Sequence, residues 1–175
     1  MHLISGNIFQ QKADVICVTT NGFVKANGNG VMGRGVAKQA VKLYPGQNLE
    51  AILGQGISLF GNSVFPLIKY NKYSIYSFPV KPRQTICYED KSNVVKHMAD
   101  KFQCGDIVPG WAAKATLEII ERSLRQIIYL ADINEWKKII IPRPGCGNGE
   151  LSWNSVLGLL DKYIGMDNRF YIISI

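Results

Sequence analysis

Two glycine-rich segments carry the residue types best suited to holding phosphate. Gly28-Asn29-Gly30-Val31-Met32-Gly33-Arg34-Gly35 runs into Val36-Ala37-Lys38-Gln39-Ala40. Pro144-Gly145-Cys146-Gly147-Asn148-Gly149 follows the apolar run Ile139-Ile140-Ile141 and precedes a helical stretch from Leu151 to Tyr163. Backbone without Cβ atoms approaches a ligand closely, and the first turn of a helix presents unpaired N–H groups and a partial positive charge. One such loop is a weak phosphate signal. A pair in similar contexts predicts a clamp on a diphosphate.

The elements that would carry these loops alternate between strand and helix. His2 to Ile4 is a short apolar segment closed by Gly6-Asn7. Asp14-Val15-Ile16-Cys17-Val18 reads as a buried strand, being β-branched on successive positions. Val36, Ala40 and Leu43 recur at helical spacing until Pro45-Gly46. Leu49, Ile52 and Leu53 predict a second helical piece ended by Gly54 and Gly56. Ile57 to Phe60, Val64 to Lys69 and Tyr73 to Phe78 read as strands, separated by turns at Gly61-Asn62 and Asn71-Lys72, with Pro79 ending the last. Val94, Val95, Met98 and Phe102 fit a short amphipathic helix, and Asp106 to Gly110 a loop. Ala115 to Ala131 is the clearest helix. A strand at Lys138 to Ile141, a helix at Trp153 to Ile164 and a strand at Arg169 to Ile175 complete the chain. The expectation is an α/β layered sandwich with a mixed central sheet and ligand loops at the carboxyl ends of its strands.

Composition narrows the function classes. The chain has 175 residues, 47% of them hydrophobic and 19% charged, which predicts one folded domain over 1–175 rather than a disordered segment. No run is apolar enough to span a membrane, and the start Met1-His2-Leu3-Ile4-Ser5-Gly6 lacks the pattern of a signal peptide, so a cytoplasmic monomer is expected. Cys17, Cys87, Cys104 and Cys146 form no C-x-x-C pair and read as reduced thiols. With only His2 and His97 besides, no metal site and no cofactor are expected. The formal net charge of +7 favours an anionic partner, although Lys and Arg are scattered rather than clustered. Gly28-x-Gly30-x-x-Gly33 fits a dinucleotide-binding pattern, but the polar stretch after Val18 does not set it directly at a strand end.

Taken together, these residues resemble a macro domain, the fold that binds ADP-ribose and related nucleotides. The resemblance rests on Gly6-Asn7-Ile8, Ala13-Asp14-Val15-Ile16 with Asn21, Gly30 to Ala37, and Pro142-Arg143-Pro144-Gly145-Cys146-Gly147-Asn148-Gly149-Glu150-Leu151-Ser152-Trp153. It covers residues 1–81 and 115–175 and is similar to the branch of DNA ADP-ribosyl glycohydrolase antitoxins and terminal ADP-ribose glycohydrolases. It implies a three-layer sandwich with helices on both faces of the sheet. It further implies that Val31, Met32, Gly33 and Gly35 line the distal ribose, that Asn21 orients that ribose as a catalytic residue beside Lys81, and that Thr20, Gly30 and Val36 belong to the ligand-binding set. Gly145, Cys146, Gly147, Asn148 and Gly149 would cradle the diphosphate, Asn7 would meet the adenine, and Ile8 and Pro144 would belong to the ligand-binding set. Asn7 stands where the family usually has Asp, so its amide would accept the adenine hydrogen bond without charge assistance.

Lys81 is the candidate for chemistry, since the related glycohydrolases carry a reactive lysine after a similar strand end. A lysine amine attacks or assists only when neutral. An exposed lysine is neutral about one time in a thousand at pH 7, so a desolvated or cation-crowded pocket is required, with Arg83 a neighbouring cation. The protein-directed enzymes have an Asp in the second loop where Gly149 stands; Glu150 follows it, as a substitute or as a charge complementing a helix start. Asp14 reads as structural, and Trp153 as a residue packed beneath the second loop. Residues 82–114 form an insertion that departs from the family and reads as a lid or a partner-specific surface. The resemblance implies a hydrolase that removes ADP-ribose from a macromolecular acceptor, DNA or protein, or cleaves an ADP-ribose derivative at C1″. DNA is favoured by the loop type and the basic charge. The alternatives are a non-catalytic binder of ADP-ribose or a related nucleotide, and an ADP-ribose 1″-phosphate phosphatase.

Overall fold

The computed structural model describes residues 1–70 and 73–174. Among the described residues eight strands run β1 (His2–Ser5), β2 (Val15–Asn21), β3 (Pro66–Lys69), β4 (Ser74–Lys81), β5 (Gln84–Ile86), β6 (Ile107–Pro109), β7 (Ile139–Pro142) and β8 (Phe170–Ser174). Four α-helices join them: α1 (Gly35–Leu43), α2 (Leu49–Phe60), α3 (Leu117–Ile133) and α4 (Trp153–Ile164). Six strands form one sheet in the order β1-β8-β7-β2-β4-β3. β3 is antiparallel to β4, and the other pairings are parallel, so the sheet is mixed.

The sheet is buried on both faces because its strands alternate between two cores. Val15 and Cys17 of β2, Tyr76, Phe78 and Val80 of β4, and Ile139 and Ile141 of β7 pack under Ile120, Leu124 and Ile127 of α3 and Val156 and Leu160 of α4. Ile16 and Val18, Ile75 and Ile140 face the other way, against Val36 and Ala40 of α1 and Leu49, Leu53 and Ile57 of α2. Continuous apolar runs such as Val15 to Val18 are what two-sided burial requires of parallel strands. The result is helix layer, sheet, helix layer. Asp14 ties the edge of this core: its Oδ2 accepts from the N–H groups of Lys137 and Lys138 at 2.7 and 2.9 Å.

Several local expectations give way to tertiary contacts. Ile57 to Phe60 is not a strand; α2 runs through Gly54 and Gly56 to Phe60. The glycines are there for close approach, since a Cβ on Gly54 would lie 1.9 Å from the Gly28 carbonyl oxygen and one on Gly56 2.1 Å from the Phe65 ring. Pro79 does not end β4, which continues to Lys81 beside the end of β2; a register shift after Thr20 pairs Asn21 with Lys81. Residues 106–110 are not a plain loop, because Ile107–Pro109 pairs with Gln84–Ile86 as a hairpin. The helix read across Val94 to Phe102 is a shorter 3-10 segment, Lys96–Lys101. The turn expected at Asn71-Lys72, and the end of the last strand at Ile175, lie outside the described residues. Among the described residues no helix is long and apolar enough to cross a membrane, and no His, Cys, Asp and Glu cluster fit for a metal occurs.

Candidate functional site

A cavity of about 600 Å³ opens above the carboxyl ends of β2, β4, β7 and β8, between the two glycine loops. That volume suits a small-molecule ligand, and the position is where ligands sit in sheets of this type. The loops meet across it: a Cβ on Gly35 would lie 3.3 Å from the Asn148 side-chain nitrogen. Gly35 has φ +57°, which glycine adopts without strain.

The first loop ends on the N-terminus of α1, where Arg34 makes no side-chain cap and the first turn holds no acidic residue. The N–H groups of Val36 and Ala37, both in the cavity wall, have no hydrogen-bond acceptor among the described residues and could meet a ligand oxygen. The second loop works differently. It turns at Gly145 (φ +76°), and the helix behind it begins only after Ser152, whose side chain caps the N–H of Ser155. Its exposed residues Gly147 and Asn148 thus form a backbone cradle separate from α4. The glycines are needed for space as well: a Cβ on Gly149 would lie 2.5 Å from the Gly145 carbonyl oxygen and 2.6 Å from the Ala115 Cβ.

The wall is electropositive. Arg34, Lys81 and Arg143 line it together with His97, and among the described residues no Asp or Glu does. Lys81 is only 8% exposed, and its Nζ donates to the Trp111 carbonyl at 3.3 Å. Its main chain is held by Asn62, whose Nδ2 donates to the Lys81 carbonyl at 2.9 Å. Burial lowers the Lys81 pKa from 10.5 to about 8; the Glu150 carboxylate pulls it back up, and Arg34 pushes it further down. About one Lys81 in ten is then neutral at pH 7, far above an exposed lysine. The assisting cation is Arg34 of the first loop, not the neighbouring Arg83. Burial raises the Cys146 pKa, and Arg143 only partly opposes this.

Of the residues expected at the site, Thr20, Asn21, Val31, Gly33, Gly35, Val36, Lys81, Gly145, Cys146, Gly147, Asn148 and Gly149 line the cavity. Asn21 braces the first loop: its Nδ2 donates to the Val31 carbonyl at 3.0 Å and its Oδ1 accepts from the Phe23 N–H at 3.0 Å. One amide hydrogen and one lone pair remain for a ligand. Asn7, Ile8, Gly30, Met32 and Pro144 lie off the wall. Asn7 caps a 3-10 turn by accepting from the Phe9 N–H, and Ile8 and Met32 are core side chains. Gly30 donates its N–H to the Glu50 carbonyl at 2.7 Å, and the Pro144 carbonyl faces the Cys146 thiol. Glu150 is no helix-start charge; its Oε1 accepts from the Lys96 N–H. Trp153 is half-buried and carries the Arg143 guanidinium 4.3 Å above its ring.

Arg34 and Arg143 are not among the site residues expected from the sequence; Arg34 stands inside the first glycine segment and Arg143 one residue before the second, and charge is the signal that marks both. His97, Met98 and Trp111 also line the cavity, from the insertion. No spacing pattern announces them, because the hairpin and its small core of Cys87, Val94, Val95, Met98, Val108, Ala112 and Ala113 decide where they point.

No protein-family model matches the chain, and no curated protein matches it in sequence. Solved structures do. The macrodomain of Mycobacterium tuberculosis DarG superposes with a TM-score of 0.69 at 17% identity, over 99% of this chain and 97% of that one. The macrodomain of Thermus aquaticus DarG gives the same TM-score of 0.69, identity of 17% and coverage of 99% and 97%. Thermosipho africanus DarTG in complex with ADP-ribose matches with a TM-score of 0.67 at 19% identity, over 98% of this chain and 41% of that one. With its six-stranded mixed sheet between paired helix layers and its two glycine loops facing one cavity at the strand ends, the chain has the macrodomain fold.

Proposed function

We propose that this protein binds ADP-ribose through the two glycine loops and hydrolyses the bond between C1″ of its distal ribose and a macromolecular acceptor, with DNA the first acceptor to try. The observation that carries the reading is the convergence of both loops on one basic cavity, lined by no Asp or Glu among the described residues and with a buried amine in its wall. A diphosphate suits the free N–H groups at the α1 start and the Gly147-Asn148 backbone, with Arg34 and Arg143 as counter-charges. The match to Thermosipho africanus DarTG, solved with ADP-ribose, and the matches to DarG macrodomains support the same ligand and the antitoxin-like branch. In the reaction the C1″–acceptor bond breaks, the oxygen of water ends on C1″, and a proton from that water goes to the departing acceptor. Neutral Lys81 acts at C1″, while Asn21 steadies the loop around the ribose.

Calorimetry is the direct test of binding. ADP-ribose is expected to bind in the micromolar range, about −8 kcal/mol, with little heat from AMP. For catalysis, Lys81→Ala is expected to abolish turnover while ADP-ribose still binds; unchanged turnover on every substrate the wild type processes overturns the assignment.

A second reading, capture of ADP-ribose without chemistry, draws on the Lys81 contact with the Trp111 carbonyl and the nearby Glu150, which favour a cationic lysine. Chromatography of products after long incubation separates the two. The 1″-phosphatase reading is weaker, since among the described residues no Asp or Glu lines the cavity to serve as a base.

A further inference from the structure

Glu150 stands behind the second glycine loop, off the cavity wall, with its backbone left-handed at φ 60°. That conformation favours glycine, so a glutamate there earns its place through its side chain. Oε1 accepts from the Lys96 main-chain N–H at 2.8 Å. Oε2 faces the Lys114 ammonium at 3.6 Å and is otherwise buried with no hydrogen bond among the described residues. A buried carboxylate oxygen in that state is tolerated only where cations surround it.

The two residues it grips lie on opposite sides of one backbone pairing. Val94 bridges Ala113, the Val95 N–H donates to the Ala112 carbonyl at 2.9 Å, and the Lys114 N–H donates to the Asn93 carbonyl at 2.9 Å. Trp111 precedes this pairing, and its carbonyl is the acceptor for the Lys81 Nζ at 3.3 Å. The Ala115 N–H, donating to the Gly149 carbonyl at 3.0 Å, ties the same segment to the second loop. A continuous set of contacts therefore runs from the diphosphate loop through Glu150 and the insertion to the amine.

We propose that Glu150 is a positioning residue for Lys81: by gripping both sides of the Val94–Ala113 pairing it holds the Trp111 carbonyl against the Lys81 amine and keeps that amine in the cavity wall. The inference deepens the proposed hydrolytic reading and rests on it for its consequence in turnover. The charges in play come from every side of the pair. Arg34 approaches from the start of α1, Lys114 from the end of the insertion, His97 and Arg143 stand on the cavity wall, and Asp90 lies on the Lys114 side. The Glu150 carboxylate favours the protonated amine, while Lys114 competes with Lys81 for that carboxylate.

The test is a titration of Lys81 by NMR in protein carrying ¹³Cε-lysine, its signal assigned by loss in Lys81→Met. Glu150→Gln keeps an oxygen for the Lys96 N–H but removes the charge, so Lys81 is expected to titrate at lower pH, and any pH–rate profile to move with it. Lys114→Met leaves the carboxylate to Lys81 and is expected to move the titration to higher pH. Glu150→Ala is expected to speed hydrogen exchange at the Lys96 amide about tenfold or more and to lower kcat more than it raises KM. Shifts of opposite sign are not what a merely structural residue produces. If both charge variants titrate with the wild type, or Glu150→Ala leaves Lys96 exchange unchanged, the proposal is overturned. If the titrations move as stated while wild type turns over no ADP-ribosyl substrate, the positioning role stands and the hydrolytic reading falls.

Discussion

A lysine buried in a cavity wall is a cost the fold carries for the sake of its site, and the sign of that cost is measurable. The pKa of Lys81 falls from 10.5 to about 8 on folding. Between those values the unfolded chain binds a proton that the folded chain does not, so stability rises with pH across that window. The penalty is fully present below about pH 8. Lys81→Met removes the titrating group. It is expected to melt higher than wild type at pH 7, by on the order of 1 kcal/mol after allowance for solvent screening, or about 2–4 °C. The gap should close as pH approaches 10.5. Thermal melts between about pH 6 and pH 10 check this, and a difference that does not vary with pH counts against the assigned burial. Lys81 was recognisable in the sequence only through the strand before it and the resemblance. Its actual partners, Trp111 and Glu150, were not, because they come from distant segments.

At the scale of elements, α2 and α4 show why one residue type means different things in two helices. Gly54 has the Gly28 carbonyl oxygen in the space of its missing Cβ, whereas Gly158 of α4 is exposed with nothing within 4 Å. Gly158→Ala is expected to stabilise the protein by about 0.5–1 kcal/mol through helix propensity alone. Gly54→Ala is expected to destabilise it by about 1–3 kcal/mol and to weaken ligand binding, because the first glycine loop must move. Paired denaturation and calorimetry test the contrast; matching effects from both substitutions would show that α2 does not press on the loop. Ending α2 at Gly54 is the natural reading of the sequence, since glycine weakens an isolated helix. Only the loop packed against it explains why the helix continues. The same holds for Pro79, which sits inside β4 opposite Thr20, with its carbonyl accepting from the Ser123 hydroxyl at 2.7 Å.

For the molecule as a whole, the formal charge of +7 and the absence of acidic residues from the cavity wall point the same way. An anion is drawn to the surface and then meets Arg34, Lys81 and Arg143 inside. Raising salt from about 50 to 500 mM is expected to weaken ADP-ribose binding several-fold by screening. Arg34→Gln and Arg143→Gln should each flatten that dependence. A salt-independent affinity would mean that the cavity binds its ligand through uncharged contacts alone.

The layered α/β order, the buried strands of a mixed sheet and the place of both glycine loops in the chain are legible from local residue patterns. Those features are encoded in runs of neighbouring residues: β-branched stretches such as Val15 to Val18, helical spacing in Ile120, Leu124 and Ile127, and glycines grouped beside each strand end. That Gly35 faces Asn148, that Asn21 pairs with Lys81, and that Trp111 and His97 complete the wall emerges from the folded arrangement alone. The physical reason is that these contacts join segments far apart in the chain. Their geometry depends on strand register and on how the insertion packs its own small core, and no local spacing records either.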